Sequence, residues 1–171
     1  MLKKIFIGGL ILLTMAACSE TGSNDGSHGL INESVSEGEF KLEMDSSKEI
    51  YKDDEPIDIS ASLVYVGEKS TATILHAKPL MPFVVEQIDG DIKLETSVAL
   101  AEVKSELKKD ERVRGQLSNL TVSNGSTEID LENNDEIILP EGEYEITVVT
   151  TFKYDDVDYE IPLTIQIKIE S

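Results

Sequence analysis

Apolar and polar residues alternate along most of this chain with a period of two, the period of a half-buried β-strand. Phe40, Leu42 and Met44 alternate with Glu39, Lys41 and Glu43. After Pro56, the row Ile57, Ile59, Ala61, Leu63 and Tyr65 faces one way while Asp58, Ser60 and Ser62 face the other. Ala72, Ile74 and His76 form a third row, and Phe83 to Ile88 a fourth, ending at the turn Asp89-Gly90-Asp91. The clearest element is C-terminal. Tyr144, Ile146, Val148, Thr150, Phe152 and Tyr154 share a face, Asp155-Asp156 turns the chain, and Val157 to Ile169 alternates without a miss. A slip of one residue would turn that whole apolar row to solvent, so the register is strongly specified. Asn124-Gly125, between Leu120-Thr121-Val122 and Ile129-Asp130-Leu131, is a further hairpin signal.

Glu95 to Arg112 reads two ways. Good helix formers and the Val103–Leu107 spacing fit a helix, whereas Val98 and Leu100, a turn after Leu107, and then Val113 and Leu117 fit two strands. Strands are favoured because the surroundings are β. Eight or nine short strands separated by turns then predict an all-β fold, an antiparallel immunoglobulin-like β-sandwich over residues 37–171.

Two segments fall outside this pattern. Ser19 to Ser36 is rich in Ser, Gly, Asn and Glu, a composition too polar to offset the entropy of ordering. With Cys18 it is expected to form a flexible linker, residues 18–36. Residues 1–17 carry Lys3 and Lys4, an apolar run from Ile5 to Leu13, and then small residues. That is the order of a secretory signal peptide, and it is shorter than the ~20 apolar residues of a membrane span. Cys18 is the only cysteine of the 171 residues. With Ala16 and Ala17 before it, the segment resembles the lipobox of bacterial lipoproteins, although Met15 stands where that pattern more often has leucine. The resemblance implies cleavage between Ala17 and Cys18, an S-diacylglycerol and N-acyl group on Cys18, and a chain moored to the outer face of the cell membrane. Two or more buried acyl chains, at ~0.8 kcal/mol per methylene, hold essentially permanently.

The formal charge of −19 becomes more negative once Lys3 and Lys4 leave with the leader. Such a charge argues against nucleic acid, whose binding needs a basic footprint, and against the domain lying flat on anionic lipid.

Leu139-Pro140-Glu141-Gly142-Glu143-Tyr144 resembles the tyrosine corner of immunoglobulin-like sandwiches, in which a tyrosine hydroxyl bonds back to upstream backbone. Pro140 and Gly142 supply the turn, and Tyr144 opens the penultimate strand. Together with Glu55-Pro56-Ile57, Ile74 to Pro79 and the turn at Leu107, the pattern resembles small immunoglobulin-like domains of lipoproteins from Gram-positive, Bacillus-like bacteria. More distantly it is similar in fold to the intracellular proteinase inhibitor of bacilli.

Catalytic chemistry finds little support. The two histidines are His28, in the linker, and His76, on an apolar row where a satisfied core role is expected. No nucleophile–base pair, phosphate loop or zinc set stands out, and neither catalytic activity nor a cofactor is expected. Calcium is the one ion to consider, through acid-rich turns: Asp53-Asp54-Glu55, Asp89 and Asp91, Asn133 to Glu136, and Asp155 with Asp156. None has an EF-hand spacing. The function expected is a binding or accessory module with a protein partner in the envelope. The alternatives are inhibition of an extracytoplasmic protease, for which Lys78-Pro79-Leu80-Met81-Pro82 is the candidate loop, or a calcium-binding surface domain.

Overall fold

The computed structural model describes residues 29–122 and 136–171. Ala17, Cys18, His28, the Asn124-Gly125 hairpin with its second strand, and Asn133 to Asp135 therefore lie outside the described residues. Within them the fold is all-β: twelve strands and no helix.

The strands make two sheets packed face to face. The first holds β1 (Ile31–Glu37), β2 (Phe40–Ser46), β4 (Ile59–Tyr65) and β9 (Arg112–Gln116), in the order β1-β2-β4-β9. The second holds β3 (Ile50–Lys52), β5 (Thr71–Lys78), β6 (Phe83–Gln87), β7 (Lys93–Thr96), β8 (Ala99–Lys108), β10 (Leu120–Val122), β11 (Gly142–Tyr154) and β12 (Val157–Glu170). Its order is β10-β7-β6-β11-β12-β3, with the β5–β8 pair also attached to β11. One edge of β11 is divided: β6 pairs with Tyr144 to Val148, and β5 with Phe152 and Lys153. Between these, the chain from β5 to β6 passes through Lys78–Pro82, which includes a cis bond before Pro79. The buried Thr150 hydroxyl donates to the Leu80 carbonyl at 2.9 Å.

The expected alternation is reproduced in β11, where Tyr144, Ile146, Val148, Thr150, Phe152 and Tyr154 are all buried. Its turn is a two-residue hairpin with φ of +47° at Asp155 and +64° at Asp156, the conformation whose twist matches the flanking strands. Gly38, at φ +56°, holds the first position of the two-residue β1–β2 turn, under the Tyr159 ring. That ring stacks on Phe152, centroids 5.1 Å apart, and Phe40 packs edge-on against both. This aromatic group closes one end of the core.

Three expectations need correction. Strand β1 begins at Ile31, inside the segment read as linker 18–36, because Ile31 and Val35 pack on the core while β1 pairs along β2. The strands exceed eight or nine, since β1, β3 and β7 are too short or too polar to show an apolar period. The sheets are not wholly antiparallel either: β3 lies parallel to the end of β12. Residues 95–112, read two ways, form the end of β7, the strand β8, a turn at Lys109–Glu111 and the start of β9.

Candidate functional site

The segment Leu139 to Tyr144 leads into the start of β11. Tyr144 is fully buried, and its hydroxyl donates to the Pro140 carbonyl at 2.8 Å. Burial pushes its ionisation up to about 12. Gly142 has φ +156°, and a Cβ there would meet the amide of Gln87, which itself donates to Glu141 O. This is a structural device that fixes where β11 enters the sheet.

The candidate loop Lys78–Pro82 does not present its apolar side chains. Leu80 and Met81 are buried in the core, which leaves Lys78 as its most exposed member. The loop instead forms one wall of a cleft of about 430 Å³. The opposite wall is β9 and the residues after it, Val113 to Gln116, Ser118 and Asn119; Thr96 and Ser97 close the end. Local chemistry shapes it. Gly115 lets β9 approach Met81, whose methyl would lie 3.3 Å from an added Cβ, and Thr96 Oγ1 accepts the Phe83 amide at 3.0 Å. Because β9 is the last strand of its sheet among the described residues, its outer backbone groups have no strand partner there along this cleft.

Charge distinguishes the cleft. Its charged lining residues are Lys78 and Arg114, with no carboxylate, in a chain of formal charge −19. Three other surface depressions each carry at least two carboxylates: Glu86, Asp91 and Glu145; Glu49 and Glu143; Glu102, Asp158 and Glu160. Arg112, the neighbour of Arg114 on the same face, is engaged: its Nε donates to Glu43 Oε2 at 2.7 Å. Neither Lys78 nor Arg114 forms an ion pair among the described residues. The arrangement suits a ligand with a carboxylate or other anionic group, an extended backbone and a small apolar side chain.

The calcium candidates Asp89 and Asp91 are not brought together with Asp155 and Asp156. Asp89 and Asp91 lie in the turn after β6, beside the start of β11, whereas Asp155 and Asp156 follow its end. At ~3.4 Å per residue these turns are on the order of 35 Å apart. Asp155 already receives Lys69 Nζ at 2.6 Å, which also sits over the Tyr154 ring. Among the described residues no three His, Cys, Asp or Glu side chains are placed to hold a metal. His76 is a satisfied core residue: Nδ1 donates to the Ala77 carbonyl, and Nε2 accepts from Ser105 Oγ at 2.8 Å.

The sequence reading missed the cleft because Lys78 and Arg114 are far apart in the chain. Its only sequence signal is that both arginines stand two apart on one strand of a strongly acidic protein. Neither a scan against protein-family models nor a search of curated proteins returns a match.

Proposed function

We propose that the protein is a lipid-anchored module at the outer face of the cytoplasmic membrane, working by contact and without catalysis. The cleft beside β9 is its binding site, and its partner is an envelope protein that offers an extended, anionic segment. The leader and Cys18 support the location, by resemblance to the lipobox. The observation that carries the binding role is a cationic, carboxylate-free cleft, set along a strand edge whose backbone is unpaired among the described residues. Strand edges recognise extended chain through backbone hydrogen bonds, while adjacent side chains select what binds. The reading also places the tyrosine corner in an immunoglobulin-like domain, a fold suited to presenting loops and edges rather than to one chemistry.

Both parts can be tested in cells. Membrane fractionation should recover the chain with the membrane, with mass spectrometry showing a lipidated Cys18 as first residue, and Cys18→Ala should abolish both. A free thiol at Cys18 would overturn the anchor. A photo-crosslinking residue at Gln116, in the cleft wall, should trap a discrete envelope protein, whereas one at Lys153, away from the cleft, should not. Arg114→Glu together with Lys78→Glu should abolish the adduct. Equal trapping from both positions, or trapping that survives charge reversal, would remove the cleft from the proposal.

A further inference from the structure

Strand β8 is a long, exposed edge among the described residues. It pairs with β5 alone, and no strand lies on its other side among the described residues. Leu100 on this strand is 99% exposed, and Val98 just before it 45%. Proline, which blocks pairing at a strand edge, is absent from β8, and the charged side chains that discourage unspecific pairing are present but of both signs. Its outward row reads Glu102, Lys104, Glu106, Lys108, with no net charge. The neighbouring strand does not account for these charges, because Thr71, Thr73 and Leu75 stand opposite Lys108, Glu106 and Lys104.

A row of alternating sign has a property under two-fold symmetry. When such a strand meets its own copy antiparallel, centring on an even position of this row sets like charges opposite: Lys104 on Lys104, and Glu102 on Glu106. Centring on an odd position never does so. A centre at Val103 sets Glu102 against Lys104 of the second copy, and Lys104 against its Glu102. It also lays Leu100 along the stem of Glu106, and Val98 along that of Lys108. The paired stretch then runs from Val98 to Lys108 of both copies. It stops where the chain is already committed, since Lys109 N donates to Ser70 O and Asp110 N to Tyr65 O.

We propose that β8 is a self-association edge: two copies of this chain join antiparallel through β8, centred on Val103, into one continuous sheet. The occupant is a second copy because the charge pattern is complementary to its own reverse. The exposed Leu100 and Val98 are covered by the same register. An isologous contact of this kind closes as a dimer rather than growing into a fibre.

Charge exchange tests it. The full-length chain in mild detergent should sediment as a dimer that dissociates on dilution. Glu102→Lys opposes two lysines at both of the symmetry-related contacts, and Lys104→Glu opposes two glutamates there. Each single variant should therefore self-associate about tenfold more weakly or worse. Glu102→Lys with Lys104→Glu in one chain should restore the dimer. An equimolar mixture of the two single variants should form the heterodimer. Both positions are exposed, and unchanged circular dichroism will show that each variant is folded. A monomeric wild type, single variants that dimerise as the wild type does, or a folded double variant that fails to recover would each overturn the proposal.

Discussion

The Tyr144 hydroxyl donates to the Pro140 carbonyl from a side chain that has lost all contact with water. Tyr144→Phe keeps the ring and deletes that bond. Because Pro140 is exposed and its carbonyl can turn to water, the loss should be about 1 kcal/mol, read by denaturant titration. The pH response has a definite sign. The folded protein keeps this proton to about 12, while the unfolded chain releases it near the ordinary value of ~10. Over that interval the unfolded state binds fewer protons, so stability falls as pH rises. Tyr144→Phe should flatten that alkaline limb. Glu43 behaves in the opposite sense. Only 7% exposed, it accepts Arg112 Nε and pairs with Lys41 Nζ at 2.8 Å, and these bonds, Arg112 first, hold its carboxyl below the ordinary value of 4.5. Its contribution is complete above that ordinary value and is lost as pH falls through the lowered one. Arg112→Ala should cost about 1 kcal/mol at neutral pH, the low end for such a pair because the guanidinium is half exposed. The same variant should soften the acid limb of the stability profile. An unchanged acid limb would mean that the pair does not set it.

Among the elements, the β11–β12 hairpin rests on a turn in which both central residues take positive φ. Glycine adopts that conformation without the steric penalty of a Cβ, and Asp-Gly is a preferred sequence for it. Asp156→Gly should therefore stabilise the protein by about 0.5–1 kcal/mol, measured as a higher denaturant midpoint with an unchanged slope. This hairpin was also the most legible part of the sequence. Its strands carry unbroken apolar rows, and such rows are sufficient to define a strand with one buried face. The tyrosine corner was legible for a related reason: turn residues and tyrosine are contiguous, so local order carries the contact. β1 was not legible. Asn32, Glu33 and Ser34 give it no period, and it exists because β2 offers an edge and Ile31 and Val35 reach the core. β3 is three residues in parallel register with a strand more than a hundred positions away, information no window contains. The cleft and the free edge of β8 belong to the same class. Lys78 and Arg114 line one cleft from different sheets, and whether β8 is covered depends on what packs beside it.

At the scale of the whole molecule the dominant quantity is the charge, −19 for the full chain. Like charges in one compact body repel, and unfolding relieves the repulsion by moving them apart. Opposing this are ion pairs such as Lys69–Asp155, Lys93–Glu86 and Lys168–Glu170, which are largely exposed and so worth little each. Salt weakens both effects, with a screening length of ~10 Å at 0.1 M and ~3 Å at 1 M. The repulsion is the sum of many long-range terms and is screened first. The pairs are in contact and are screened last. The melting temperature should therefore rise as sodium chloride goes from about 0.01 M to about 0.5 M, by a few degrees. A fall over that range would mean that the exposed ion pairs outweigh the surplus of acid. The cleft should respond the opposite way. In the function proposed, attraction for an anionic segment rests on Lys78 and Arg114 at the surface, so crosslinking from Gln116 should weaken over the same salt range in which the fold grows stronger.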